Sequence, residues 1–564
     1  MWQQNYTPIA GSVGASAPLA ALPILALVVM LGVLRRPAWQ AALAALASAL
    51  VVALGVYHMP APLALAAALY GAATGLFPIA WIVFTAIMLY RLTVDTGGFE
   101  IIKDSVGGLT ADRRLQAMLI AFAFGAFIEG AAGFGSPVAV SGAMLAGLGF
   151  SPFFAAGICL LANTAPVAFG SLGIPVTTLA AVTGLPVGPL SAMVGRLCAM
   201  ISLIVPGYLV VVMTGRARAR EVLPAIAACG LSFAGTQFLV SNLLGAELTD
   251  ILSSLVCIVV MVAVIKLWKP PTVVRLEGEH PATIVPRHSA GAVLRAWGPY
   301  LMLVAFVLVW GIPSVKLGLN RWTDRLLPAW MPTLGAPGAK TATQLNRLTV
   351  PGLHNAITQV PPVRAKPTPY GAVYEWNWLG TSGTACLLAI LAAALVLRIP
   401  ARKVVKAYVD TFRQLKLALL TIASMLALAF LMNYSGMTST MGLALAGTGA
   451  AFPFFGAVVG WIGVFLTGSD TSANALFGNL QVVTAHALGL DPILTASVNS
   501  AAGVMGKMIS VQSIAVAVAA TGLSREDEGR LFRFTIKHSA LLMVVMALLS
   551  LLYAYAFPGL VPRA

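Results

Sequence analysis

Charged side chains are scarce here: Asp, Glu, Lys and Arg together make up 9% of 564 residues, where a soluble domain carries about 25%. That deficit excludes an ordinary soluble enzyme, because most of the chain never meets bulk water. Acids are scarcer than bases, 18 against 34, leaving a formal net charge of +16. No basic stripe with interleaved aromatics accompanies this charge, which argues against a nucleic-acid partner. The five cysteines, Cys159, Cys198, Cys229, Cys257 and Cys386, all sit in apolar runs without CxxC spacing. They read as small hydrophobic fillers, not as disulfides or metal ligands. No GxSxG, HExxH or Walker A sequence occurs. The pattern therefore indicates no enzyme and no ATP-driven pump, and any transport must draw on an ion gradient. The opening residues also lack the basic region of a cleavable signal.

What the chain has in abundance is apolar sequence, 59% of its residues, in runs close to the 20 or so that cross a bilayer. Twelve full spans are predicted, at 17–34, 39–57, 72–92, 152–183, 187–214, 222–244, 248–268, 297–314, 379–397, 415–433, 493–521 and 538–557. Two further apolar stretches, 115–150 and 452–490, carry a Gly-rich polar break at their centres: Glu129-Gly130-Ala131-Ala132-Gly133-Phe134-Gly135 and Gly468-Ser469-Asp470-Thr471-Ser472. Each arm reads as too short to cross, so both stretches are expected to be re-entrant hairpins with tips at membrane depth. Irregular backbone is tolerated there only against protein or a cavity.

Basic residues cluster at 35–36, 91–114, 216–220, 266–295, 398–416 and 525–537. Placed inside, they put both termini and the long 315–375 segment outside. The expected fold is an all-α polytopic membrane protein with inverted halves, 1–214 and 297–564, joined by a helix pair and cytoplasmic loop at 215–296. Asn163-Thr164-Ala165 matches Asn499-Ser500-Ala501, and Gly170 and Gly506 follow at equal spacing. Inverted repeats with interrupted helices, here 152–183 and 493–521, mark secondary transporters. The 315–375 segment has no assignable role.

An ionisable residue inside the membrane is a functional candidate. Sixteen of the eighteen acids fall in predicted loops or at span ends; the other two, Glu129 and Asp470, occupy the two hairpin tips. Both are candidates for proton coupling, although a carboxylate also suits a helix start on structural grounds alone. Glu129 has apolar neighbours, Phe124, Phe127, Ile128 and Phe134, whereas Asp470 lies among Thr467, Ser469, Thr471 and Ser472. On that contrast Glu129 is expected to carry the proton. Asp470 is expected to stay ionised as an organiser, paired with Lys507. Lys507, in Gly506-Lys507-Met508-Ile509-Ser510, is the cation best placed to face a carboxylate substrate, the alternative being an ion pair with Asp470 or Glu129; Arg196 is a weaker candidate that can snorkel to the interface. Asn163, Thr164, Asn499, Ser500, Ser513, Thr471 and Ser472 offer neutral polar groups, and Gly133 and Gly135 open the first tip. His486 reads either as a proton relay or as an interfacial residue. No metal and no cofactor other than the coupling proton is expected.

At these residues the chain resembles the bacterial L-lactate permease family. The resemblance rests on Trp2-Gln3-Gln4-Asn5-Tyr6-Thr7-Pro8, the two hairpin tips, Asn163 to Gly170, Asn433-Tyr434-Ser435-Gly436, and Gly506 to Ser510. Ser136 and Ala473 depart mildly from the expected pattern, and 315–375 matches poorly. The resemblance implies proton-coupled import of L-lactate, D-lactate and glycolate across a bacterial inner membrane. It also implies a rigid scaffold with a moving, elevator-like unit. Two rivals remain open from the residues: a sodium-coupled di- or tricarboxylate carrier on the same scaffold, and a channel. Oligomeric state is not legible.

Overall fold

A computed structural model describes residues 1–133, 135–275, 288–327 and 345–563. Phe134 of the first tip and the middle of the 315–375 segment, Trp330 included, lie outside the described residues. Among those described, twelve helices are long and apolar enough to cross a membrane.

The tally of twelve matches the expectation, but some members differ. The first hairpin arm, Arg113–Ala131, is itself a 19-residue candidate span, and its apolar window is wholly buried. At 1.5 Å per residue it is about 28 Å long, so the expectation of an arm too short to cross is corrected. In the second hairpin the arm Phe452–Thr467 belongs to the candidate span Met437–Thr467, whereas Asp470–Leu488, 19 residues long, is not apolar enough to count as one. Conversely, Ser382–Val396 is only 15 residues. Several helices also outrun their apolar cores. Ala401–Ser435 begins well before the predicted 415, with Lys406 donating to Asp410 at 2.7 Å one turn on.

Proline sets two of the bends. Ala61–Asp95 is interrupted at Phe77, which takes extended angles (φ −143°, ψ 128°) ahead of Pro78, as a residue preceding proline prefers. The first interrupted helix, Pro152–Ala162 followed by Val167–Thr183, bends by 63° around Ala165-Pro166. The sequence-equivalent Ala501-Ala502 has no proline. There the helix Pro492–Lys507 runs on unbroken and stops only at Met508, before Val511–Thr521. Asn163 therefore ends a helix whereas Asn499 lies in the middle of one.

The base of the first hairpin is tied by arginines. Arg114, fully buried, donates to Asp112 Oδ2 (2.8 Å), Glu221 Oε2 (2.9 Å), Arg218 O and Thr272 O (both 2.7 Å). Arg113 donates to Gln116 Oε1 at 2.8 Å and to Leu148 O at 2.7 Å, and lies over the Phe150 ring. The arm is thus fixed to the end of its own return helix Ser136–Gly147, to the helix Val187–Arg220 and to the segment that follows Thr249–Leu267.

The N-terminus joins the long loop on one face. Trp2–Gln3 pairs in parallel with Ile357–Gln359, which pairs antiparallel with Thr368–Pro369. The chain start and this loop therefore share a side, as the topology expects. Gln4 Nε2 donates to Asn433 O (2.9 Å) and Tyr434 O (2.8 Å), and Tyr6 Oη donates to Gln4 Oε1 (3.0 Å). A side-chain amide thereby satisfies two terminal carbonyls of Ala401–Ser435 that have no partner inside the helix. Tyr434 in turn donates to Gly371 O at 2.6 Å and stacks on Tyr370 at 4.3 Å. The loop is a packed cover on that helix end.

Arg114→Met should lower the thermal midpoint of the purified protein sharply. It removes the cation paired with buried Asp112, which keeps backbone donors from Arg114, Leu115 and Val274; breaking a buried ion pair costs about 3–5 kcal/mol. An unchanged midpoint in a detergent melting experiment would show the network to be dispensable.

Candidate functional site

The chain brings both hairpin tips and both helix interruptions to one cavity of about 280 Å³. Its lining includes Glu129 and Gly135 from the first tip, Gly170, Ser171, Ile174 and Pro175 from the first interruption, Gly468 to Ser472 from the second tip, and Lys507, Gln512 and Ser513 from the second interruption. Four helices start here: Ser136–Gly147, the regular part of Gly170–Thr183, Asp470–Leu488 and Val511–Thr521. Helix N-termini carry partial positive charge and unpaired N–H groups. Four of them around one cavity, with a lysine, make a site for a small anion.

The backbone at the first interruption is unusual. Ser171, Leu172 and Gly173 are successively left-handed (φ 48°, 60° and 73°). For a non-glycine residue this costs about 1–2 kcal/mol and persists only where the surroundings over-determine it. Here Ser171 Oγ donates to Ala132 O at 3.0 Å, clamping the interruption to the tip. Gly133 has φ 60°, and a Cβ there would lie 2.2 Å from Ser171 Oγ. Nothing larger than glycine fits.

The charges are arranged otherwise than the sequence suggests. Lys507 Nζ donates to Glu129 Oε1 at 2.8 Å in a buried ion pair, with side-chain exposures of 9% and 3%. Its partner is thus Glu129, which corrects the expected Asp470–Lys507 pairing. The reason is that Asp470 is supplied by its own neighbours: Ser500 Oγ donates to Oδ2 at 2.6 Å and Asn474 Nδ2 at 3.4 Å. Asp470 Oδ1 and Glu129 Oε2 are buried without a hydrogen-bond partner among the described residues.

The remaining predicted residues divide. Asn163, Thr164 and Ser513 line a narrow gap behind Lys507. Asn163 Oδ1 is unpartnered, while Thr164 Oγ1 donates to Leu161 O at 2.7 Å. Asn499 is held away from the cavity, donating to Asn474 Oδ1 at 2.9 Å and accepting from Gln481 Nε2 at 3.2 Å. Ser500 acts through Asp470. Arg196 is not part of the site: its Nε donates to Asn242 Oδ1 at 3.0 Å and its Nη1 to Leu560 O, because the helix Val187–Arg220 turns it toward the chain's end. His486 is exposed near the end of Asp470–Leu488.

Sequence reasoning missed Asp250. It opens the helix Thr249–Leu267 and was counted as a span end, yet it is 1% exposed and interacts electrostatically with Glu129 and Lys507. It also passed over Asn474, the hub between Asp470, Ser500 and Asn499, and Gln512 and Ser171 on the cavity wall. Asn474 stands inside a quoted motif. No local pattern marks Asp250.

The chain matches the L-lactate permease family over residues 16–557. It is 47% identical over 571 residues to the L-lactate permease of Bacillus subtilis (strain 168), covering 100% of both chains. It is 43% identical to the glycolate permease GlcA of Escherichia coli (strain K12) over 573 residues, covering 99% of each. Among solved structures, Neisseria gonorrhoeae MtrF aligns at 11% identity with a TM-score of 0.45, covering 86% of this chain and 83% of that one.

A Cβ at Gly170 would lie 2.6 Å from Glu129 Oε1. Gly170→Ala should therefore force Glu129 off Lys507 and destabilise the protein by about 1–3 kcal/mol. The shorter acid of Glu129→Asp should restore part of that loss in the double variant. A melting series in which Glu129→Asp gives Gly170→Ala no relief would place the clash elsewhere.

Proposed function

We propose that this chain, which belongs to the L-lactate permease family, is a proton-coupled symporter. It would import L-lactate, D-lactate and glycolate across a bacterial inner membrane. It is a permease and not an enzyme. The observation that carries the reading is the convergence of four helix N-termini and one buried lysine on a single small cavity. This arrangement attracts one carboxylate of small size, not a di- or tricarboxylate with several charges to satisfy.

On this reading the substrate carboxylate joins Lys507, which its ion pair with Glu129 keeps oriented toward the cavity. The unpartnered Asp470 Oδ1 accepts the 2-hydroxyl of the substrate, and Thr471, Ser472 and Ser513 supply the remaining polar contacts. Addition of a negative charge to a site already holding buried acids is offset by uptake of a proton through the cavity-facing acids, Glu129 and Asp470. Substrate and proton then move together, which is symport.

The cavity reaches Ala38 and Trp39, just after Arg35-Arg36, and Leu417, Ala418 and Thr421, just after Lys416. Basic residues mark the cytoplasmic side, so this is an inward-facing arrangement. The opposite side is closed where Asn433 Nδ2 donates to Val182 O (3.2 Å) and Asn479 Nδ2 donates to Asn433 Oδ1 (3.0 Å). The two hairpins and two interrupted helices form inverted repeats in this reading, and they move as an elevator-like unit against the helices 38–95 and 382–435.

Uptake of labelled L-lactate into proteoliposomes tests the proposal. Accumulation should follow an imposed inward proton gradient and ignore sodium. Accumulation that needs sodium at constant pH would sink it. Lys507→Ala should weaken lactate binding by about 2–5 kcal/mol, measured by calorimetry on folded protein. Unchanged affinity would reduce Lys507 to a structural partner of Glu129.

A further inference from the structure

Among the described residues, Asp250 is the one buried acid near the site to which the proposed function gives no role. Both of its carboxyl oxygens are buried and have no hydrogen-bond partner among the described residues, and it does not line the cavity. It packs directly behind the first hairpin: a Cβ at Gly130, the residue after Glu129, would lie 2.8 Å from the Asp250 Cβ. Only glycine lets the arm pass this close. The titratable groups that interact with Asp250, among the described residues, are Glu129 on the arm Arg113–Ala131, Lys507 on Pro492–Lys507, and Cys198 on Val187–Arg220.

The charge count in this space is unbalanced. Lys507 is one cation, and its Nζ is engaged by Glu129. A second carboxylate beside that pair, with no donor of its own, is strongly disfavoured. The neutral acid is the form that this arrangement accommodates. The charged form is not foreign to the position either, because Asp250 lies in the first turn of a 19-residue helix, where the helix dipole favours an anion. A site that holds the neutral acid in one arrangement and tolerates the anion in another is what reversible proton binding requires.

We infer that Asp250 is the residue on which the coupling proton rests, behind the cavity-facing acids that admit it. With substrate bound, Asp250 carries the proton, Glu129 stays ionised, and Lys507 faces both Glu129 and the substrate carboxylate. With substrate and proton released, Asp250 is ionised. The proton bound on Asp250 then offsets the one negative charge that the substrate brings, so the net charge of the buried cluster is the same in both forms. The described arrangement, with Asp250 unpaired and the cavity open, corresponds to the proton-loaded form. This inference rests on the proposed symport and assigns its proton to a residue.

The test is Asp250→Asn, a fixed imitation of the protonated acid, in the full-length protein. Lactate binding measured from pH 5 to pH 9 should weaken with rising pH in the unmodified protein and become flat in the variant. Lactate exchange between equilibrated vesicle compartments should continue, and accumulation driven by a pH gradient should be lost. The number of protons taken up per lactate, from calorimetry in buffers of different ionisation enthalpy, should fall from about one to about zero in the variant. A melting midpoint for the variant near that of the parent shows that it is folded. If Asp250→Asn still accumulates lactate under a pH gradient, the inference is overturned while symport stands. A variant too unstable to melt cooperatively would also overturn it, since the neutral form would then not be the one this fold holds. If the unmodified protein shows no proton-driven accumulation, the symport reading itself has failed.

Discussion

One lysine has to serve every negative charge in the centre of this protein. Lys507 meets Glu129 at 2.8 Å across 378 residues of sequence, and Asp470 and Asp250 are buried nearby. Bringing these groups together costs desolvation that no single pair repays. The surrounding structure lowers that cost with fixed dipoles. Ser500 and Asn474 take Asp470 in hand, helix N-termini surround the cavity, and glycines at 130, 133, 170 and 503 let acids and backbone approach closely. The arginine network at the base of the first hairpin has the same purpose at a distance. It fixes one end of a wholly buried arm so that Glu129, near the other end, arrives at Lys507.

The two hairpin-and-interrupted-helix units are alike in plan and unlike in detail. In the first, proline at 166 breaks the helix beside Asn163 and is followed by three left-handed residues clamped to the tip. In the second, alanine at 502 lets the helix continue and carries Lys507 to the cavity at its end. The difference separates two tasks. The first unit presents strained backbone and the acid that pairs with Lys507; the second presents the cation and a polar network around Asp470, built from Asn474, Asn499 and Ser500.

Much of this was legible in the sequence because its signals are strong and local. A polar, glycine-rich break in the middle of an apolar run reads as a tip, and an acid at each tip stands out when charges are few. Lys507 stood out for the same reason. The sequence left the partner of Lys507 open between Asp470 and Glu129, since these groups meet only through the fold, and Asp470 accepts from Ser500, a residue 30 positions away. Asp250 was hidden by its position: an acid at the start of an apolar helix looks like an interfacial residue until another helix covers it. Arg196 follows the alternative given for it, turned away from the cavity toward Asn242 and Leu560; its place within an apolar run does not say in which direction its helix turns it. The opening Trp2 to Pro8 motif was legible as a resemblance but not as a mechanism, until Gln4 proved to cap the helix Ala401–Ser435.

That cap fixes the position of Asn433, whose amide joins Val182 of one interrupted helix and Asn479 of one hairpin. The contact involves no charge. Each neutral hydrogen bond of this kind contributes about 0.5–1.5 kcal/mol net, and water that enters can replace it. Separation of these groups therefore exposes amides already suited to solvent, with no ion stripped of its partner. A barrier built this way is a zip fastener more than a weld: firm while its teeth are aligned, and opened by small forces applied from one end.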